Sequence, residues 1–223
     1  MAAPSVFVID GQRDSRELVC HFLSARGYRS QGFATASAFE NACDDRQPGC
    51  AVLDVALPDC CGLALQRRLN EREIPPPVIM MGDQATTRQA VEAIKQGALD
   101  FLEKPLCLEA LLERVRCALD RDAENRAHQS RVAAARRRLG TLTSREREVF
   151  DAMTASLGIK QIAARLGISP RTIEVHRSRV LTKMGVENVV ELLDVAHLMG
   201  LFPVPPGVEQ PDDQPEDRGN ASI

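Results

Sequence analysis

Five times in the first half of this chain a strand-like run gives way to a stretch of helical period, and that alternation restricts the fold more than any other feature. The runs are VFVID from Val6, a weaker one from Tyr28 to Phe33, CAVLD from Cys50, VIMM from Val78, and Phe101 to Glu103. Runs without polar alternation read as strands buried on both faces, the habit of parallel sheets. The first helical stretch is Arg13 to Arg26, with Leu18, Phe22, Leu23 and Ala25, stopped by Gly27. Then come Ser37 to Ala42, Leu63 to Glu71 ended by Pro75, Pro76 and Pro77, and Ala85 to Gln96 closed by Gly97. A fifth begins near Leu108. This order predicts an α/β domain, a doubly wound five-stranded parallel sheet with helices on both faces.

Ligands of such sheets bind at the carboxyl ends of the strands. Topology alone therefore brings together Asp10 after the first strand, Asp54 after the third and Lys104 after the fifth. Two carboxylates and an ammonium on a rigid rim can hold a hard cation and a phosphoryl group. The plainer alternative is a surface ion pair where strand ends reach water.

The second half follows a different period. Leu108, Leu111, Leu112, Val115 and Leu119 form one stripe. Beyond Asp120 the chain stays a good helix former, free of Gly and Pro, until Gly140. Ala123, Ala127, Ser130 and Ala134 make a small-residue seam there, which suits either a second copy or a solvated spacer, and Arg136 to Arg138 suit phosphates or solubility. Thr143 with Glu146 forms a capping-box pattern, with Val149, Phe150 and Met153 on the buried side. Gly158 to Met184 then reads as a short helix (Ile159, Ile162, Ala163, Leu166), a turn at Gly167 and a second helix that starts sharply at Ser169 and Pro170. Ile173, Val180 and Met184 lie on its back, and Arg171, Glu174, Val175, Ser178 and Thr182 on its front. The pattern is that of a helix-turn-helix, although helix pairs with a glycine turn also occur in ordinary bundles. A fourth helix, Val189 to Met199, carries Leu192, Leu193 and Ala196, giving a small all-α four-helix domain.

The formal net charge is −3, but Arg and Lys crowd the span from Arg131 to Lys183 and the acids crowd the tail, so local charge does not exclude nucleic acid. The odd number of cysteines, without a CxxC pair, points to a reduced, cytoplasmic setting; adjacent Cys60 and Cys61 are small, partly buried thiols or a redox pair. No run is long enough to span a bilayer, and MAAPSVFVID lacks the features of a signal peptide. The divisions expected are 4–121 for the α/β domain, 122–138 for a helical linker, 139–202 for the helix-turn-helix domain and 203–223 for a disordered acidic, Pro-rich tail.

Phe7 to Asp10, DVALPDCCG from Asp54 and AVEAIKQGALDFLEKP from Ala90 resemble the receiver domain of two-component response regulators, a flavodoxin-like fold. LTSREREVF from Leu142 and KQIAARLGISPRTIEVHRSRVLTKMG from Lys160 resemble the LuxR-type helix-turn-helix, and the order is that of FixJ and NarL regulators. The resemblance implies phosphorylation of Asp54, supported by Asp10 and Lys104, and Mg2+ held by Asp10, Asp54 and the backbone carbonyl of Ala56. It implies a switch at the end of the fourth strand, here Met81, coupled to Phe101. Receivers usually carry a second acid where Gly11 stands and a Thr or Ser where Met81 stands, so a weakened cation site and a receiver working without phosphate both remain open. Base contacts fall on Glu174, Val175 and Ser178, and phosphate contacts on Lys160, Arg171, Thr172, Arg177, Arg179 and Lys183. The partners implied are double-stranded promoter DNA, a sensor histidine kinase, a second copy in the active homodimer and RNA polymerase, with no membrane. An aspartate-based phosphatase lacks a second catalytic acid near Asp54, so the protein is expected not to be an enzyme.

Overall fold

A computed structural model describes residues 3–44, 47–83 and 87–201; the expected tail, 203–223, lies outside the described residues. The elements run β1 (Ser5–Ile9), α1 (Arg13–Ala25), β2 (Arg29–Phe33), α2 (Ala36–Ala42), β3 (Gly49–Asp54), α3 (Gly62–Asn70), β4 (Val78–Asp83), α4 (Thr87–Lys95), β5 (Asp100–Lys104), α5 (Leu108–Leu139), α6 (Ser144–Thr154), α7 (Ile159–Leu166), α8 (Pro170–Met184) and α9 (Val189–Leu198). Two compact units result, 1–130 and 131–223.

In the first unit the strands pair in parallel in the order β2-β1-β3-β4-β5. Alternate residues along each strand enter different cores, as a pleat of period two requires. Phe7, Ile9, Leu53 and Met80 pack with Phe39 of α2, Leu65 and Leu69 of α3 and Ala93 of α4. Val6, Val8, Val52, Ile79 and Met81 pack with Val19 and Leu23 of α1 and Leu111 and Val115 of α5. The inward phase of α1 is therefore Val19 and Leu23, and Leu18 faces out at 56% exposure. Phe22 is half-buried beneath the Arg26 guanidinium, 4.6 Å from its ring centroid.

Helix α5 is continuous over 32 residues, as its lack of Gly and Pro predicts. The proposed seam residues Ala123, Ala127 and Ser130 are exposed, and the inward residue at this level is an acid. Asp122, 1% exposed, accepts the Gly49 amide at 2.9 Å and pairs with Arg126 Nε at 2.9 Å. Arg126 Nη2 donates to the Gln47 carbonyl at 2.7 Å. Residues 122 and 126 of the sequence-defined linker thus hold the entry to β3.

The second unit packs α6 to α9 and the end of α5 around Ala135, Val149, Phe150, Met153, Ile162, Ile173, Val180, Met184, Leu192 and Ala196. Thr143 and Glu146 form the reciprocal capping box. Ser169 caps α8 with Pro170 in its first turn, and left-handed Gly167 and Gly185 terminate α7 and α8. In the turn between α6 and α7, Ser156 adopts φ 59° without being glycine.

Candidate phosphoryl-acceptor and DNA-contact sites

Three strand ends build the first site. Lys104, the last residue of β5, extends Nζ to Asp54 Oδ2 at 2.6 Å and to Asp10 Oδ2 at 3.0 Å. The remaining oxygens accept backbone amides, Asp10 Oδ1 from Gln12 at 2.8 Å and Asp54 Oδ1 from Ala56 at 3.0 Å. All three side chains are nearly excluded from water. Burial opposes the charge on Asp10, but hydrogen bonds from Ser15, the Gln12 amide and Lys104 outweigh it and hold the carboxyl below its ordinary range. Burial wins at Asp54 over the Lys104 and Ala56 bonds, and its carboxyl is pushed up. Burial likewise opposes the Lys104 charge, yet the two carboxylates raise its pKa. The trio is an ammonium shared between two nearly buried carboxylates, Asp10 and Asp54.

The loop after β3 is held by close packing. The Gly62 amide reaches back to the Val55 carbonyl at 2.7 Å, and a Cβ at Gly62 would lie 2.1 Å from the Asp54 carbonyl oxygen. Asp59 accepts the Ala36 and Ser37 amides and the Ser37 hydroxyl at the start of α2. The Ser37 bonds bring its carboxyl down to about 2. At the mouth, Gln12 Nε2 donates to Asp83 Oδ2 at 3.2 Å.

The second site is the front of α8. Arg171, Thr172, Glu174, Val175, Ser178 and Arg179 are exposed there, Val175 at 47%, while Ile173, Val180 and Met184 are buried behind them. Lys160 is exposed on α7 and Arg177 is half-buried on a flank of α8. The Thr172 hydroxyl lies 2.8 Å from the Ser169 hydroxyl and its amide donates to the same oxygen, so it belongs to the cap as well as to the surface.

Residues 6–116 match the response regulator receiver domain and residues 140–196 match the luxR family of bacterial regulatory proteins. The transcriptional regulatory protein FixJ of Azorhizobium caulinodans is 39% identical over 89% of this chain and 94% of its own length. This chain belongs to the two-component response regulators of the FixJ kind. The response regulator protein TodT of Pseudomonas putida is 32% identical over 86% of the chain and 85% of its own. Among solved structures, the response regulator StyR aligns with a TM-score of 0.76 at 32% identity, covering 88% of the chain and 99% of its own. Full-length FixJ from B. japonicum gives 0.54 at 32% identity, covering 91% and 100%. The family is one of transcriptional regulators and not a known enzyme class. No helix among the described residues is long and apolar enough to cross a membrane.

Met81 is fully buried on the α1 and α5 side of the sheet. β4 continues two residues past it, and Gly82 pairs with Glu103. Gly82 is the position that abuts Phe101, because a Cβ there would lie 3.4 Å from Phe101 Cζ and 3.5 Å from Val55 Cγ2. The apolar run ends at Met81, which hid the longer strand. No hydroxyl stands at either position.

Lys183 is turned inward, with Nζ 2.6 Å from Glu146 Oε2 and 3.1 Å from the Thr141 carbonyl. That bond, with the Thr143 amide, brings the Glu146 carboxyl down to about 2. It ties the capping box to α8 while the Lys183 side chain keeps 35% exposure. Arg138, grouped with its neighbours as a phosphate or solubility residue, donates to the Met184 carbonyl at 3.0 Å and caps α8.

Receivers generally take Mg2+ for phosphorylation, and the donors here meet its needs only in part. Asp10 and Asp54 bring carboxylate oxygens together here, and Mg2+ accepts a few protein ligands completed by water. Gly11 supplies none, and a Cβ there would meet Pro58 Cδ at 2.9 Å. Among the described residues no group of three or more His, Cys, Asp or Glu side chains could hold a metal.

Proposed function

We propose that Asp54 accepts a phosphoryl group from a sensor histidine kinase, and that this event governs how the regulator engages promoter DNA. The observation that carries this reading is the Lys104 bridge at 2.6 Å to Asp54. It places a fixed positive charge where negative charge would build as an oxygen of Asp54 attacks phosphorus. Mg2+, held by Asp10, Asp54 and the Ala56 carbonyl, would add charge neutralisation for the transferring group. With no hydroxyl at Gly82 to pull the loop after β4 inward, Phe101 couples less tightly to Asp54.

At the output end, Glu174, Val175 and Ser178 face base edges, with Lys160, Arg171, Thr172, Arg177 and Arg179 on phosphates. A homodimer in the cytoplasm, bound at a promoter and touching RNA polymerase, completes the reading.

Intact mass after incubation with a small phosphodonor and Mg2+ tests the receiver half. One added phosphoryl group on the wild type and none on Asp54→Asn is expected. An unlabelled wild type, under conditions that label an ordinary receiver, refutes the reading and leaves a regulator that works without phosphate.

A further inference from the structure

Within the second unit an open groove of about 450 Å3 lies between the α6–α7 turn, α8 and the start of α9. Leu157, Ile159, Ile162, Val189 and Leu193 line it, and Arg177 is the cation on its wall. Arg177 is half-buried and makes no ion pair or hydrogen bond among the described residues. An apolar trough beside an unpaired guanidinium suits a strand of chain that is apolar along part of its length and anionic in the next part.

The regulator carries such a segment. After Leu201 it reads FPVPPGV and then EQPDDQPED, so Phe202, Val204 and Val208 precede Glu209, Asp212, Asp213, Glu216 and Asp217. The reach is sufficient. At about 1.5 Å per residue, Val189 lies on the order of 15 Å back along α9 from Met199. An extended chain covers that in about five residues. Phe202 to Val208 can therefore return along α9 to the groove and deliver the acids to Arg177 and to Arg171 and Arg179 on the front of α8.

We propose that the tail from Phe202 to Asp217 docks in this groove and shields the cations of α8 until DNA phosphates displace it. The inference rests on the DNA-contact reading of α8. A tethered segment competes at an effective concentration in the millimolar range, so even weak docking alters DNA affinity measurably.

The test compares the full chain with a form ending at Leu201 and with the variant Glu209→Gln, Asp212→Asn, Asp213→Asn, Glu216→Gln and Asp217→Asn. Each is titrated with a mixed-sequence duplex at low and high salt, and methyl spectra of Ile159, Val189 and Leu193 are recorded without DNA. Both altered forms are expected to bind roughly fivefold more tightly at low salt, with the gap closing at high salt. Removing the tail is expected to shift the groove methyls. Equal affinities overturn the proposal, and so does tighter binding with unmoved methyls, which would leave only long-range charge. If none of the three binds duplex, the DNA-contact reading itself fails, an outcome distinct from all three binding alike.

Discussion

Replacing Asp122 by Ala should destabilise the receiver unit by about 3 kcal/mol, the lower part of the range for breaking a buried ion pair. The substitution leaves the Gly49 amide without its acceptor at 2.9 Å and takes from Arg126 both carboxylate contacts, at 2.9 and 3.0 Å. The lower end applies because the Arg126 side chain keeps 15% exposure and the Gln47 carbonyl. Arg126→Ala should cost about as much, since it strands a carboxylate that is 2% exposed. The double variant should lose about 3 to 4 kcal/mol, well short of the sum, because the two residues share one interaction. For a unit of this size that is a fall in Tm of about 10 °C. The chain has no Trp and a single Tyr. Because Tyr28 lies in the first unit, tyrosine fluorescence in urea reports that unit alone. A loss below about 1 kcal/mol for Asp122→Ala, or additive single effects in the double variant, would refute the idea that this pair anchors the helix to β3.

Lys104→Met leaves two buried carboxylates facing each other without their ammonium, and burial plus the Asp10 charge push the Asp54 carboxyl further above its ordinary range. Stability of that variant should therefore be greatest at low pH and fall as pH rises through the raised value, as tyrosine-detected melts at pH 5 and pH 8 would show; a flat profile would count against it. The Glu146 carboxyl is lowered from 4.5 to about 2 when folded, so its contribution is full above about pH 4.5 and lost as pH falls toward 2. Circular dichroism melts of Glu146→Gln should lack that acid-side dependence. Ser156→Gly should raise stability of the second unit by roughly 0.5 to 1 kcal/mol by relieving a left-handed conformation, read as a higher urea midpoint. Arg179→Ala should weaken binding to specific and random duplexes alike and flatten the salt dependence, whereas Val175→Ala should change preference at one base pair; equal loss on both duplexes for Val175→Ala would remove it from the base-reading set.

Much of this architecture was legible because its signals are local. Strands β1, β3 and β4 carry unbroken apolar runs, whereas the edge strand β2, RSQGF, carries none. Thr143 with Glu146 and Ser169 with Pro170 announce helix starts through their own first turns. Asp10, Asp54 and Lys104 converge because strand ends in such a sheet share one edge. The features that escaped depend on partners far away in sequence. Asp122 meets Gly49 across 73 residues and Lys183 meets Glu146 across 37, and no local pattern marks either acid or base as spoken for. β4 outran its apolar run because Gly82 and Asp83 pair through their backbones regardless of side chain. Leu18 fits a helical stripe by type, yet the phase of α1 is set by what the sheet offers to Val19 and Leu23.

Gly11 also bears on the rate at which a donor arrives. Two carboxylates against one ammonium leave the trio with a single net negative charge, where a further acid at this position would double it. A phosphodonor is itself an anion, so the pocket repels it less than a three-acid pocket without its cation would. Under the proposed phosphotransfer, the reaction should accordingly depend less on ionic strength than transfer to a receiver with the full acid set. Substituting Asp for Gly11 would force Pro58 aside and make encounter with the donor more reliant on a bound cation.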